Sequence, residues 1–349
     1  MTVRGGAFES GRAKEVKRIN NWLVSAVFAS WGVAAVAQSD TRLARLGVLA
    51  HRGPEIAAEH WQPLSEYLTS SVIGWEFEIQ PVTLVSAEEK IAAKEIDFLI
   101  TNPGHFVDLA DEYSLSAVAT RERLAENASE GLLKYGTAIV VRKASGIRDL
   151  SDLRGKTLAA VSPEAFGGFQ IAWREMTQQE VDPFSDLENL RFMGFPQDAI
   201  VEAVSNGRVD AGVVRSGLLE SLEFEGRIVA RDFEILNSRS QPGYPFEVTG
   251  HLFPEWPFVA IPGVDKELNE FVAIALLRTQ DPEIRNQFEL KDAWSTPLSY
   301  VGVRQLIAEY KARGHQQNES ALLYIFLAAA TVLGLGLIVV GLRARPEPT

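Results

Sequence analysis

Two stretches of the sequence place an apolar run directly before residue types that begin helices. Asp97 to Phe106 reads DFLITNPGHF, and Leu158 to Phe169 reads LAAVSPEAFGGF. In each, a run that suits a buried strand is followed by Asn-Pro or Ser-Pro, which pairs an N-cap side chain with a proline at the first helical position. Helix N-termini present unpaired N–H groups, which bind anions. These two stretches therefore indicate anion binding.

The residues around each junction define a candidate ligand site. Asn102 and Ser162 are the expected N-caps, and the glycines that follow each of them would leave the backbone N–H groups accessible. Ordinary helix capping explains either junction alone, but the presence of two favours a ligand site. Arg215 follows a third apolar run, and its guanidinium suits carboxylate, sulfonate or phosphate oxygens. An ion pair with Asp210 or a surface glutamate is an equal alternative for Arg215.

Other kinds of site find less support in the sequence. The chain has no cysteine, which excludes disulfides and thiolate chemistry. His51, His105 and His251 fall near the ends of predicted strands without the spacing of metal ligands, so neither a metal nor a cofactor is expected. The motifs GxSxG and HExxH and a Walker-type loop are absent, so the chain is not expected to be an enzyme. A net charge of −12 disfavours nucleic acid as a partner.

Strand and helix patterns alternate along the chain and indicate an α/β fold with largely parallel sheets. The pattern is interrupted by a polar stretch at residues 121–130 and then restarts. We therefore predict two lobes. The first comprises residues 40–125 and 240–316, and the second comprises residues 128–236. A chain that leaves one lobe and later returns to it crosses twice, which predicts a hinge and a cleft.

Both ends of the sequence carry membrane-related patterns. Basic residues precede an apolar stretch that ends in Ala-Val-Ala at 35–37, which predicts a signal peptide over residues 1–37, with an uncut anchor as the alternative. Residues 321–342 carry no charge and are long enough to cross a bilayer, with a buried helix as the alternative. Two arginines follow, so residues 343–349 are expected in the cytoplasm and the exported part in the periplasm.

Five stretches spread over nearly the whole exported part carry a family resemblance. They are LGVLAHRG at Leu46 to Gly53, DFLITNPGHF at Asp97 to Phe106, LRGKTLAAVSPEAFGGFQIAWRE at Leu153 to Glu175, GFPQDAIVEAVSNGRVDAGVVRSGLLE at Gly194 to Glu220, and LFPEWPFVAIPG at Leu252 to Gly263. In these stretches the sequence resembles the type II periplasmic binding proteins of the phosphonate-binding kind. Within them it is similar to the sensor region of tetrathionate sensor histidine kinases. The expected fold is thus a two-lobe α/β periplasmic binding protein with a C-terminal transmembrane helix.

The resemblance also implies where a ligand binds. In that family the two lobes close on a small oxyanion, which loops after strands of both lobes contact. Carried over to this chain, the candidate ligand-binding residues are His51, Asn102, Gly104, His105, Ser162, Phe166, Gly167, Gly168 and Arg215. Members that bind amino-phosphonates tend to have an acid near the position of Arg215. A cation there favours a sulfur oxyanion such as tetrathionate, with phosphate-like or phosphonate-like anions as the other candidates.

The resemblance leaves two roles open. Sensor kinases continue past the membrane helix into a dimerisation helix and an ATP-binding domain, whereas this sequence ends seven residues after residue 342. We therefore expect a membrane-anchored receptor that senses its ligand by lobe closure and signals to a separate histidine kinase. The alternative is a substrate-binding subunit that delivers the anion to the permease of an ABC importer.

Overall fold

The computed structural model of the protein describes residues 41–124 and 131–313. The signal peptide predicted at 1–37, the transmembrane helix predicted at 321–342 and the tail at 343–349 lie outside these ranges. No helix within the described ranges is long and apolar enough to cross a membrane.

Strands and helices alternate over much of the described chain. The strands are β1 (Arg42–Leu49), β2 (Trp75–Val82), β3 (Phe98–Ile100), β4 (Ser116–Arg123), β5 (Lys134–Arg142), β6 (Thr157–Ala160), β7 (Asn189–Phe192), β8 (Ala211–Arg215), β9 (Phe233–Ile235), β10 (Ser238–Gln241), β11 (Tyr244–Pro254), β12 (Pro257–Ala260) and β13 (Asp292–Ser295). The helices are α1 (Pro54–Ser71), α2 (Leu84–Ala92), α3 (Pro103–Tyr113), α4 (Ile171–Gln178), α5 (Asp198–Ser205), α6 (Leu218–Phe224), α7 (Lys266–Arg278), α8 (Pro282–Phe288) and α9, described over residues 301–313. A π-helical turn, Phe166–Gln170, leads directly into α4.

Two sheets form the cores of two lobes, as the sequence predicts. The first sheet has the strand order β13-β4-β12-β3-β1-β2, and the second has the order β10-β11-β5-β8-β6-β7 with β9 beside β5. Only β2-β1-β3 and β7-β6-β8 are parallel. The expectation of largely parallel sheets is therefore wrong for the remaining strands. These strands are antiparallel because they include the segments that leave a lobe and return to it.

The return to the first lobe occurs later than the predicted boundary at residue 240. Strands β10 and β11 form a hairpin in which Gln241 pairs with Tyr244, and β11 pairs with β5 of the second sheet. The second lobe therefore extends to Pro254, and the first lobe resumes with β12. The polar residues of β10 are mostly exposed, which is why this stretch resembles a linker in the sequence.

The two segments that cross between the lobes are hydrogen-bonded to each other. The backbone N–H of Arg121 donates to the carbonyl of Trp256 over 2.8 Å, and the N–H of Glu255 donates to the carbonyl of Leu133 over 2.8 Å. Trp256 itself is only 2% exposed. The hinge thus consists of two adjacent backbone segments that are hydrogen-bonded to each other. These bonds restrict independent movement of the two segments.

Candidate functional site

A cavity of about 140 Å³ lies between the two lobes. Its charged and titratable lining residues are all arginines or histidines, namely His51, Arg52, His60, Arg121, Arg123 and Arg215. No aspartate or glutamate of the described chain lines it. Most of these residues come from strand ends, since His51 and Arg52 follow β1 and Arg215 is the last residue of β8. Ligands of open α/β sheets bind at such carboxyl ends.

Arg121 is held by a carboxylate outside the cavity lining. Its guanidinium lies 2.9 Å from Oδ2 of Asp292, which His60 Nε2 also approaches to 2.7 Å. Burial opposes ionisation of Asp292, but the charges of Arg121 and His60 prevail and hold its pKa below the ordinary value. Burial lowers the pKa of His60, against the opposing charge of Asp292. The carboxylate of Asp292 thus fixes the orientation of the Arg121 guanidinium.

Arg215 is paired with Glu255 of the hinge. The guanidinium contacts Glu255 Oε1, and both side chains are buried. It also lies over the ring of Tyr135, with 4.8 Å between the guanidinium carbon and the ring centroid. Asp210, the partner considered from the sequence, instead accepts a hydrogen bond from the backbone N–H of Thr157 at 2.9 Å.

Arg123 differs from the other arginines of the cavity. Within residues 41–124 and 131–313, no carboxylate lies within ion-pair distance of its guanidinium, which donates to Ser221 Oγ over a long 3.4 Å. Burial and the neighbouring charges of Arg215 and Arg121 lower the pKa of Arg123 to about 10. Arg123 is partly buried, and withdrawing a cation from water without a counterion costs free energy that a bound anion would offset.

His51 lies where the cavity meets the hinge. Its ring packs edge-on against Trp256 at a centroid distance of 5.0 Å. Burial, followed by the positive charges of Arg215 and Arg121, lowers the pKa of His51 well below its ordinary value. His51 is therefore neutral at neutral pH, and one ring nitrogen can accept a hydrogen bond.

A second, smaller cavity of about 20 Å³ adjoins the first and shares His51, Gln197 and Arg215 with it. Among the described residues, Nε of Arg215, which lines this cavity, has no hydrogen-bond partner. The volume suits one water molecule or one ligand oxygen. We call this space the inner cavity and the larger one the outer cavity.

The structure brings most of the predicted site residues to these two cavities. His51 and Arg215 line both, and Asn102, Phe166, Gly167 and Gly168 line the inner cavity. Gly104, His105 and Ser162 line neither.

Two of the remaining three residues have visible local roles. A Cβ on Gly104 would lie 2.7 Å from the Cβ of Phe166, so this glycine permits contact between the lobes and is covered by that side chain. His105 Nδ1 is 2.8 Å from Thr101 Oγ1, and burial lowers the pKa of His105 to about 4.

The two helix starts differ. Asn102 caps α3 as predicted, because its Oδ1 accepts the N–H of His105 at 3.0 Å and Pro103 follows. The predicted cap at Ser162 is wrong. No helix begins there, and its buried Oγ has no hydrogen-bond partner in the part of the chain that the structure describes. The helical segment begins at Phe166 instead, where Gly167 admits the ring of Tyr135 to 2.7 Å of its would-be Cβ.

Sequence reasoning missed Arg121, Arg123 and His60. The two arginines stand in a polar stretch, RERLAENASE, that resembles a linker. Their spacing is the signal that could have identified them, because residues two apart on a strand point to the same face. No local pattern marks His60, which α1 carries to the cavity.

The fold and the cavity define a two-lobe binding protein with a cationic interlobe site. Residues 46–312 match the family described as the phosphonate periplasmic substrate-binding protein of ABC transporters. The chain belongs to this family of phosphonate-type periplasmic substrate-binding proteins, which are not enzymes. Among the described residues, no group of three His, Asp or Glu side chains is placed to hold a metal ion.

One curated relative is a sensor. The chain is 32% identical over 273 residues to the tetrathionate sensor histidine kinase TtrS of Salmonella typhimurium, covering 78% of this chain and 44% of the relative. The chain thus spans less than half the length of that kinase, and the homology concerns only this part.

Solved structures support the fold. A binding protein component of an ABC phosphonate transporter from Pseudomonas aeruginosa aligns with a TM-score of 0.63 and 14% identity, covering 78% of this chain and 87% of that chain. PhnD1 from Prochlorococcus marinus in complex with methylphosphonate aligns with a TM-score of 0.61 and 14% identity, covering 78% and 99%. At such identities the likeness concerns the two-lobe fold alone.

Proposed function

We propose that the protein is a periplasmic receptor whose two lobes close on a small oxyanion in the outer and inner cavities. The observation that carries this proposal is Arg123, a partly buried cation without a carboxylate within ion-pair distance in the described chain. Arg121 and Arg215 flank it with oriented guanidinium groups, which suit the oxygens of a sulfonate or phosphonate group. The anion neutralises the positive charge of these arginines, and because they come from both lobes, its binding stabilises the closed arrangement.

The lining favours a sulfur oxyanion such as tetrathionate. Phosphate and phosphonates retain an acidic proton over part of the neutral pH range, and a carboxylate in the site would accept that proton in a hydrogen bond. No carboxylate lines the outer cavity within the described residues. Fully ionised sulfur oxyanions need only donors, which the arginines supply. The similarity to a tetrathionate sensor kinase points the same way.

We propose further that the ligand-bound form signals to a separate histidine kinase. In this arrangement the periplasmic domain is anchored in the inner membrane by residues 321–342, after removal of residues 1–37. Similarity to the sensor part of a kinase supports this role.

A second candidate is the substrate-binding subunit of an ABC importer, since the family is described by that role. Co-purification of the full-length chain with its membrane partners distinguishes the two. A histidine kinase in the complex supports sensing, whereas a permease and an ATPase support import.

Isothermal titration of the full-length chain tests the binding proposal. Tetrathionate, thiosulfate, sulfite, phosphate and methylphosphonate are titrated separately at neutral pH. We expect tetrathionate or thiosulfate to bind more tightly than phosphate and methylphosphonate. If none of the five anions binds, the proposed function is wrong. If methylphosphonate binds most tightly, the preference for sulfur oxyanions is wrong.

A further inference from the structure

Helix α9 packs against both lobes. Val303, Leu306 and Ile307 are buried in the core of the first lobe. Tyr310, one turn further on, packs edge-on against Trp173 of the second lobe at a centroid distance of 5.0 Å. These four residues recur at the spacing of one helical face, so a single apolar stripe passes from one lobe to the other.

Charged residues on the two sides of this stripe pair with different lobes. Arg304 and Lys311 form ion pairs with Asp111 and Asp108, both on α3 of the first lobe. With 3.6 residues per turn, positions 304 and 311 share one side of the helix, and positions 309 and 313 share the other.

The opposite side of α9 contacts the second lobe. Glu309 lies 3.0 Å from Arg174 of α4, and Arg313 lies 3.3 Å from Asp182. The guanidinium carbon of Arg313 is also 3.7 Å from the ring centroid of Phe184. One helix therefore joins the two lobes by ion pairs on either side and by an apolar stripe between them.

The elements that α9 joins are the ones that reach the ligand cavities. The π-helical turn contributes Gly167 and Gly168 to the inner cavity and continues into α4, which carries Trp173 and Arg174. At the start of α9, the hydroxyl of Tyr300 donates to the carbonyl of Glu255 in the hinge over 3.0 Å. The proposed ligand site is thus connected to α9 through the π-helical turn and α4, and the hinge is connected to α9 through Tyr300.

We infer that α9 is a clasp whose contacts with the second lobe stabilise the closed arrangement of the lobes. The inference rests on the proposed function only in taking closure to be coupled to oxyanion binding. In this inference, opening at the hinge moves Asp182 and Trp173 away from the first lobe, against which the buried stripe of α9 packs. The clasp contacts then break, so they and the ligand favour the same arrangement. By linkage, each strengthens the other.

Two matched arginine substitutions on α9 test the clasp. Arg313→Gln removes the ion pair and the ring contact with the second lobe, whereas Arg304→Gln removes an ion pair with the first lobe only. In titrations of the full-length chain with tetrathionate, we expect Arg313→Gln to weaken affinity about 3- to 10-fold, the scale of a partly exposed ion pair with a cation–π contact. We expect Arg304→Gln to bind as the wild type does.

A distance measurement without ligand separates the clasp from the binding proposal. The chain has no cysteine, so Glu59→Cys on α1 and Ser205→Cys on α5 allow spin labels to be placed on the two lobes. We expect Arg313→Gln to shift the ligand-free distance distribution towards longer values and Arg304→Gln to leave it unchanged.

These measurements decide whether α9 stabilises the closed arrangement of the lobes. Equal behaviour of the two variants in distance and affinity would overturn it. If the wild-type chain takes up no tetrathionate, that result counts against the proposed ligand, and the ligand-free distances alone decide whether α9 is a clasp.

Discussion

At the scale of single residues, the outer cavity distributes its charges unevenly. Arg121 and Arg215 each contact a buried carboxylate, whereas Arg123 contacts none within the described ranges. The paired arginines have fixed orientations and little uncompensated charge. Arg123 therefore contributes most of the attraction for an anion and also most of the electrostatic cost of the empty site.

This difference predicts opposite effects of Arg123→Gln on binding and on stability. We expect the affinity for tetrathionate to fall by about 1.5 to 3 kcal/mol, the scale of a hydrogen bond to a charged group. The free energy of unfolding without ligand should not fall, because the charge that is removed is partly buried and has no ion-pair partner among the described residues. Titration calorimetry and urea unfolding measure the two effects. Arg191→Gln, on exposed β7, is the control and should change neither. Unchanged affinity in Arg123→Gln would exclude this residue from the site.

His105 predicts a loss of stability in mild acid. Burial lowers its pKa to about 4, below the ordinary value of about 6.5. The unfolded chain therefore binds the proton more readily, and stability is lost as pH falls from about 6.5 towards 4, at up to about 1.4 kcal/mol per pH unit. Asp292, with its lowered pKa, contributes outside this window.

Urea unfolding at several pH values measures this loss. We expect His105→Gln, which does not titrate, to show a smaller slope of unfolding free energy against pH than the wild type. Equal slopes would show that His105 is not the group responsible.

At the scale of elements, the sequence predicts those helix starts that depend only on a few consecutive residues. Asn102 and Pro103 begin α3 as expected, because a cap depends on a few consecutive residues. Ser162 followed by Pro163 has the same local pattern, yet the chain stays non-helical until Phe166. Gly167 packs against Tyr135, which lies outside the stretch from Leu158 to Phe169, so that stretch could not reveal this contact.

The interface between α3 and the π-helical turn makes a prediction about closure. Gly104→Ala adds a methyl group 2.7 Å from the Cβ of Phe166. Since Gly104 and Phe166 belong to different lobes, we expect the substitution to oppose closure by about 1 to 3 kcal/mol and to weaken ligand affinity accordingly.

Calorimetry with tetrathionate measures that effect, and thermal unfolding checks that each lobe remains folded. Gly302→Ala on α9 is the control, because a Cβ there meets no atom of the described residues within 4 Å. Affinity equal to that of the wild type in Gly104→Ala would mean that the ligand-bound lobes do not approach as closely as the structure shows.

At the scale of the whole molecule, the two-lobe arrangement was predictable and the binding residues were less so. Alternating patterns indicate the lobes because they repeat along the chain. The role proposed for Arg123 depends instead on Arg121, on Arg215 and on the lack of a carboxylate within ion-pair distance in residues 41–124 and 131–313. Those conditions arise only when strands of both lobes are brought together. The hairpin β10–β11 was assigned to the wrong lobe for a similar reason, since its partner β5 lies about a hundred residues earlier.

Arg52 connects the lobes at the mouth of the outer cavity. Its guanidinium donates to Asp198 at 2.8 and 3.0 Å and to Glu225 at 2.6 and 2.8 Å, and both acids belong to the second lobe. These bonds stabilise closure without ligand. Glu225 is partly exposed, so we expect Glu225→Gln to weaken closure by about 0.5 to 1 kcal/mol.

Small-angle X-ray scattering of the ligand-free chain measures this change as a larger radius of gyration. Glu234→Gln removes a comparable ion pair with Arg148 inside the second lobe and should leave the radius unchanged. An identical radius for Glu225→Gln and the wild type would show that Arg52 does not hold the lobes together.

The paired backbones of the hinge have a mechanical consequence. Arg121 and Trp256 are hydrogen-bonded at the pivot, and Arg121 and Arg123 face the outer cavity from the same strand. An anion bound there, as we propose, would act close to the axis of rotation, where the lever arm is short. A displacement of a fraction of an ångström at these arginines becomes a much larger arc at the far ends of the lobes. A ligand of a few atoms that binds near the hinge can therefore cause a large displacement of surfaces far from it.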